Sequence, residues 1–290
     1  MRVHLVDGTY ELFRHWFALP SHVTADGLEV AATRGVLGSL LGLLGDATHV
    51  GVATDHVIES WRNAAWPGYK DGAGVDPRLS GQFGLLEDAV AALGVTVWPM
   101  VDWEADDALA SAAAVAAADP AVAQVLVCTP DKDLAQCVQG TRVVQLDRRK
   151  RVVTDAAGVR AKFGVDPPSI PDYLALVGDS ADGYPGLPGW GAKSAAAVLS
   201  RYGHLEAVPA LGHHWDVDVR SARTLAATLD ASRELALQFR DLATLRTEPP
   251  VLADVEHLRW RGPTTELAAM CARIDAPDLV ARADRLAAGR

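Results

Sequence analysis

Cysteine is scarce in this chain, and its placement excludes most thiol chemistry. Only Cys128, Cys137 and Cys271 occur, an odd number in no CxxC or Cys/His spacing, so they read as reduced, buried residues of an intracellular protein. No apolar run reaches the ~18 residues of a membrane span. The opening Met-Arg-Val-His-Leu-Val-Asp reads as a strand ending in an acid instead of a signal peptide, so a cytoplasmic protein is expected. The nine histidines show no paired spacing that would suit metal ligation or general-base duty. Internal repeats are missing, and so is any low-complexity tract beyond alanine-rich helices. Basic excess is also lacking: the net charge is -10, which at first argues against a phosphate-rich partner.

What is present is ample apolar material in a rhythm. At 290 residues and 49% hydrophobic content the chain can bury one large core or two modest ones. Arg2 to Val6, His49 to Ala53, Thr96 to Trp98, Val125 to Cys128 and Arg142 to Leu146 read as strands. Between them Thr33 to Leu44, Gly84 to Leu93 and Glu104 to Ala118 carry apolar residues at helical spacing. This alternation predicts an α/β fold with a mainly parallel sheet flanked by helices. Residues from about Pro67 to Leu86, rich in Gly and Pro, break the rhythm and read as a gate-like excursion over the sheet edge. From about Pro167 the strand signals fade into short helices. There Tyr184-Pro-Gly-Leu-Pro-Gly-Trp-Gly-Ala-Lys193 forms a glycine hairpin leading into a helix, a geometry that exposes backbone N–H groups to anions.

The chemistry lies in five acidic signatures: Val-Asp7-Gly, Thr-Asp55-His, Glu104-Ala-Asp106-Asp107, Asp131-Lys-Asp133 and Gly-Asp179-Ser-Ala-Asp182. Each acid alone has a structural use, most often as a helix cap. As a set they are different, because parallel strands deliver their C-terminal ends to one edge and so would gather Asp7, Asp55, Glu104 and Asp131 in one crevice. Glu104 and Asp107, like Asp179 and Asp182, are three residues apart, a spacing that puts a pair on one helix face. Carboxylates so crowded repel one another unless hard cations sit between them. All-oxygen donors favour Mg²⁺ or Mn²⁺ over Zn²⁺, and nine acids exceed the needs of one octahedral ion, so two or more ions are implied. A carboxylate-held metal pair suits phosphodiester hydrolysis. Of the 37 acids, setting these nine aside leaves 28 against 27 basic residues, so overall charge is a weak objection to nucleic acid. The densest basic run is Arg142, Arg148, Arg149, Lys150 and Arg151, which reads equally as a solvated hairpin or as a DNA-facing one.

At these residues the sequence resembles the 5'-nuclease family, which includes the N-terminal 5'-3' exonuclease domain of bacterial DNA polymerase I and the flap endonucleases. The resemblance rests on Leu5-Val-Asp-Gly, Ser60-Trp-Arg-Asn with Gly68-Tyr-Lys70, Glu104-Ala-Asp-Asp-Ala-Leu-Ala, Thr129-Pro-Asp-Lys-Asp-Leu-Ala-Gln, and Gly178-Asp-Ser-Ala-Asp-Gly-Tyr-Pro-Gly-Leu-Pro-Gly-Trp-Gly-Ala-Lys. It implies a PIN-like nuclease core over residues 1–165 with the gate at about 67–86. A helix-hairpin-helix (H3TH) DNA-binding region is implied over 166–246, and 247–290 reads as a C-terminal helical extension packing on the core.

It further implies that Asp7, Asp55, Glu104, Asp106, Asp107 and Asp131 build one metal site. Asp133, Asp179 and Asp182 serve a second, with Asp131 available to both. Arg62 and Lys70 are implied to contact the scissile phosphate. Gly186, Gly189, Gly191, Lys193 and Ser194 are implied to grip duplex DNA, with K⁺ at the hairpin. The substrates implied are DNA with 5' ends, flaps or nicks, and RNA-DNA hybrids. The gate departs from the family: Ala73 stands where an Arg is usual, and only Lys70 and Arg78 remain as its cations. Two other readings stand beside the nuclease: a non-catalytic DNA-junction binding module, and a ribonuclease on a PIN-like scaffold. Trp190 in the hairpin reads as packing more readily than as a base-stacking group.

Overall fold

The computed structural model describes residues 1–290. In chain order the first elements are β1 (Arg2–Asp7), α1 (Gly8–Ala18), α2 (Ala31–Leu44), β2 (His49–Asp55), α3 (Trp61–Ala65), α4 (Pro77–Ser80), α5 (Phe83–Ala92) and β3 (Thr96–Met100). Then come α6 (Ala105–Ala118), β4 (Gln124–Cys128), β5 (Val143–Asp147), β6 (Val152–Thr154), α7 (Ala156–Phe163) and α8 (Ile170–Val177). The chain ends with α9 (Ala192–Tyr202), α10 (Ala222–Ala231), α11 (Arg233–Ala243), α12 (Leu267–Arg273) and α13 (Asp278–Ala288). These form two compact units that interleave in sequence: residues 1–60, 72–129 and 246–290 make one, and 61–71 with 130–245 the other.

The first unit holds four parallel strands in the order β3-β2-β1-β4. The central strand β1 is buried from Val3 to Asp7, which is why it reads as a continuous apolar run instead of alternating. Strand order turns back at β1, whose two neighbours β2 and β4 follow it by different crossovers, so a switch point lies where β1 and β4 end. Helix α1 starts at once after β1 because residue 8 is glycine: a Cβ there would lie 2.8 Å from Val52 Cγ1 and 2.9 Å from the Ala53 carbonyl oxygen. The C-terminal residues belong to this unit. Trp260 donates its indole N–H to the Leu93 carbonyl at 2.8 Å, α12 packs on α5, and α13 on α2.

The second unit is helical around an apolar cluster that takes in Leu174, Leu176, Tyr184, Leu199, Leu229 and Phe239. Helices α8 and α11 form its principal pair, and β5 pairs antiparallel with β6 as a hairpin. The alternation in the sequence therefore predicts the elements correctly, with strand ends displaced by one or two residues.

Candidate metal centre

In the first unit the strand ends place acids as the alternation predicts, and each acid also performs local structural work. Asp7 ends β1 and caps α1: Oδ1 accepts from the Tyr10 amide at 2.8 Å, and Oδ2 accepts from Thr129 Oγ1 at 3.0 Å, across the switch point. Asp55 ends β2, and its Oδ1 accepts from the Ala105 amide at 2.8 Å, which fastens the start of α6 to the strand end. Glu104, at the N-cap of α6, accepts from Ser60 Oγ at 2.8 Å. Asp107 is fully buried, with Oδ2 accepting from the Glu104 amide at 3.1 Å and Oδ1 from the Arg246 amide at 2.8 Å. Asp106 is half-buried in the first turn of the same helix. Two backbone donors per carboxylate make Asp107 an anchor of the helix start as much as a candidate ligand.

In the second unit three acids converge much more tightly. One ligand atom from each of Asp133, Asp179 and Asp182 lies within 4.8 Å of the others, and all three residues are buried. Asp133 Oδ1 accepts no hydrogen bond although the residue is only 7% exposed. Burial drives the Asp133 carboxyl well above the usual carboxylate range, and the charges of Asp131 and Asp182 push it the same way. A buried oxygen without a donor, facing two more carboxylates, is costly for the protein alone and suits a hard cation. The donor set thus fits a divalent metal ion.

Asp179 and Asp182 do not share a helix face, contrary to the reading from their spacing. Gly178 and Gly183 hold positive φ of 82° and 85°, and Asp179 and Tyr184 exchange backbone hydrogen bonds at 2.8 and 3.0 Å, so a tight turn presents the pair instead. Exposed Asp131 stands beside the triad, its Oδ1 accepting from the Asp133 amide at 3.0 Å.

Two lysines supply positive charge at the triad. Lys70 Nζ lies 3.0 Å from Asp182 Oδ1, and Lys132 Nζ lies 2.5 Å from Asp179 Oδ2. Burial works to lower the Lys132 pKa, but the hydrogen bond to Asp179 and the charges of Asp133, Asp179 and Asp131 carry it above the ordinary value. Lys70 is held in place by its backbone. Its amide donates to the Asp182 carbonyl at 3.0 Å, its carbonyl accepts from Asn63 Nδ2 at 2.9 Å, and Trp66 Nε1 donates to the Gly183 carbonyl at 3.1 Å. A Cβ at Gly183 would come within 1.9 Å of the Gly68 carbonyl oxygen, so that approach requires glycine.

Arg62, implied to contact the scissile phosphate, is anchored at the end of α11. It is 1% exposed, with Nε donating to the Leu242 carbonyl at 2.8 Å and Nη2 to the Thr244 carbonyl at 3.3 Å. Its guanidinium thus satisfies the carbonyls at the end of α11, a helix-terminus role that buries the cation away from solvent phosphate. In the hairpin, Gly186 and Gly189 take φ of 69° and 81°, and Gly191 caps α9, its amide donating to Ser194 Oγ at 3.1 Å. Lys193 and Ser194 line an open groove with Gly189, Gly191 and Arg220. Trp190 packs inward against Trp215, ring centroids 5.9 Å apart.

Two residues escaped the sequence reading. Lys132 was legible in principle, since it lies between the acids of its own motif. Tyr184 was not: its hydroxyl is buried and unpartnered, and burial followed by the charges of Asp133, Asp182 and Asp179 raises its pKa.

The comparisons with known proteins agree with this picture. Residues 2–164 match the family described as 5'-3' exonuclease, N-terminal resolvase-like domain, and residues 165–266 match 5'-3' exonuclease, C-terminal SAM fold. DNA polymerase I of Bacillus caldotenax is 32% identical over 270 residues, covering 90% of this chain and 30% of the relative's length. This chain therefore spans less than a third of that relative. A structure of the bacteriophage T5 flap endonuclease with DNA and metal ions superposes with a TM-score of 0.62 at 18% identity, covering 99% of this chain and 100% of that one. Flap endonuclease-1 of Methanococcus jannaschii superposes with a TM-score of 0.60 at 14% identity, over 99% and 93% of the two chains. Identities this low speak to the fold alone. No helix is long and apolar enough to cross a membrane.

Proposed function

Because the chain belongs to the 5'-3' exonuclease family, we propose that it is a metal-dependent, structure-specific 5' nuclease that hydrolyses DNA phosphodiester bonds at 5' ends, flaps or nicks. The observation that carries the proposal is the buried triad of Asp133, Asp179 and Asp182 with its unpartnered oxygen, since a protein that only binds DNA gains nothing from it. The T5 flap endonuclease, which shares the fold, has been seen with DNA and metal ions, and this supports the same substrate class here.

In this reading residues 1–165 form the nuclease core, 166–246 the duplex-binding helical region, and 247–290 an extension. Asp133, Asp179 and Asp182 would hold one Mg²⁺ or Mn²⁺, and Asp7, Asp55, Glu104, Asp106 and Asp107 another, with Asp131 available to either. When bound, such ions supply hydroxide at neutral pH and stabilise charge on the attacking and leaving oxygens. The chain's own contribution is positioning and charge. The carboxylates fix where the phosphate can sit, and Lys70, held by its backbone, offsets charge developing on the scissile phosphate. Lys132 pairs with Asp179 and holds its carboxylate in place. Arg62 donates to the Leu242 and Thr244 carbonyls, which supports the end of α11.

Incubation of the purified protein with 5'-flap, nicked and RNA-DNA hybrid duplexes in Mg²⁺ tests this directly. We expect products carrying a 5'-phosphate and leaving a 3'-hydroxyl. Folded protein that binds these duplexes but yields no Mg²⁺-dependent products would leave only the binding-module reading, and preferential cleavage of single-stranded RNA would favour the ribonuclease.

A further inference from the structure

We propose that the β5–β6 hairpin is a second substrate contact, gripping the phosphate backbone of a duplex arm away from the cut. The proposal rests on the nuclease reading for its substrate but on different residues for its evidence. Arg149, Lys150 and Arg151 form the turn and are all exposed, beside half-buried Arg148. Three adjacent exposed cations are a local concentration in a chain of net charge -10. Asp147 takes up the Lys150 amide at 2.9 Å and lies 3.5 Å from its Nζ, and neither Arg149 nor Arg151 forms an ion pair.

Arg151 adds a second, independent observation. Its φ is 56°, in the left-handed region where glycine or asparagine sits more cheaply and a long side chain costs about 1 kcal/mol. The turn therefore carries a cation at a position whose backbone favours another residue. Solvation of a hairpin does not call for that, whereas an outward phosphate contact does.

The strand that carries the turn is tied to the triad's own loop. Gln145 Nε2 donates to the Asp131 carbonyl at 2.6 Å. Arg149 lies two residues beyond the end of β5, in the turn. The contact is to backbone, since exposed cations on a turn carry no pattern that matches base edges.

The test compares wild type with the triple variant Arg149→Ser, Lys150→Ser, Arg151→Asn, in which asparagine tolerates the left-handed backbone. Binding to a fluorescent 20-base-pair duplex is followed by anisotropy from 50 to 200 mM salt, with divalent ions chelated. The slope of log affinity against log salt should fall in magnitude by roughly two to three units in the variant. The lysine-retaining variant Arg149→Lys, Arg151→Lys should restore most of it. On flap substrates the loss should appear in KM and not in kcat. An unchanged slope, or no duplex affinity in wild type, overturns the hairpin contact. Wild type that binds with the expected slope but never cuts overturns the nuclease reading and leaves this one standing.

Discussion

The two units treat their acids in opposite ways. In the first, the carboxylates of Asp7, Asp55, Glu104 and Asp107 accept hydrogen bonds from amides or hydroxyls, so each helps to hold a strand end or helix start whether or not an ion is bound. In the second, Asp133, Asp179 and Asp182 are buried against one another, and Asp133 Oδ1 has no donor at all. The first set contributes to folding, whereas in the second Lys132 and Lys70 offset Asp179 and Asp182 and only the Asp133 carboxyl is left uncompensated until a cation arrives. A carboxylate's chemical role is thus readable from what it does to stability in the absence of metal.

The largest expected effect breaks the comparison on the second side. Asp133→Asn should lower turnover roughly a thousandfold. The same variant, in chelator, should melt about 2–4 °C above wild type because a neutral amide replaces a buried carboxyl crowded by Asp131 and Asp182. A lower Tm would mean that Asp133 is supported in a way the structure does not display. Mg²⁺ should raise the Tm of wild type, and the rise should shrink markedly in Asp133→Asn. An equal rise in both would detach the triad from metal binding.

Lys70→Ala comes next, with a fall in turnover of roughly a hundredfold and little change in Tm. Arg62→Ala should do the reverse, costing about 2–3 kcal/mol in urea unfolding because two carbonyls lose a buried charged donor. If Arg62→Ala kept wild-type stability and lost activity, the phosphate-contact reading would be restored. Asp107→Asn sharpens the first side of the comparison. It should destabilise by about 2 kcal/mol, since one of the two amides that Asp107 accepts from would face an NH₂ group instead of an oxygen. That is the opposite sign to Asp133→Asn.

The smallest effect lies at Asp76, which caps α4. The Arg78 side chain, with the Arg78 amide, holds the Asp76 carboxyl down at about 2. Its folded value is depressed, so its contribution is complete above the unfolded value of about 4 and is lost as pH falls through about 2. The pair is exposed, so we expect a local change in the Arg78 amide resonance over that window instead of a shift in global melting. Asp76→Asn should abolish the titration.

Much of this was legible in the sequence because local pattern and topology suffice for it. Parallel strands must end at one edge, so the positions of Asp7 and Asp55 follow from the apolar runs that precede them. The hairpin glycines announce positive φ, and Trp190 packs inward as its apolar surroundings suggest. What stayed hidden depends on distance in sequence. The spacing of Asp179 and Asp182 mimics a helix face, but the flanking glycines and Pro185 impose a turn, and only the turn's closure at Tyr184 reveals it. The burial of Arg62 depends on carbonyls 180 residues away, and nothing in Ser-Trp-Arg-Asn announces them. Asp133's missing partner is a property of the packed interior.

The near-touching backbones at Gly68 and Gly183 carry a practical consequence for anyone recombining this chain with its relatives. These two stretches are 115 positions apart, yet they behave as one part: the peptide before Lys70 rests on the peptide after Asp182 with no side chain between them. A chimera that exchanges either stretch alone would inherit a mismatch in main-chain path, so crossover points should be chosen to move both together or neither.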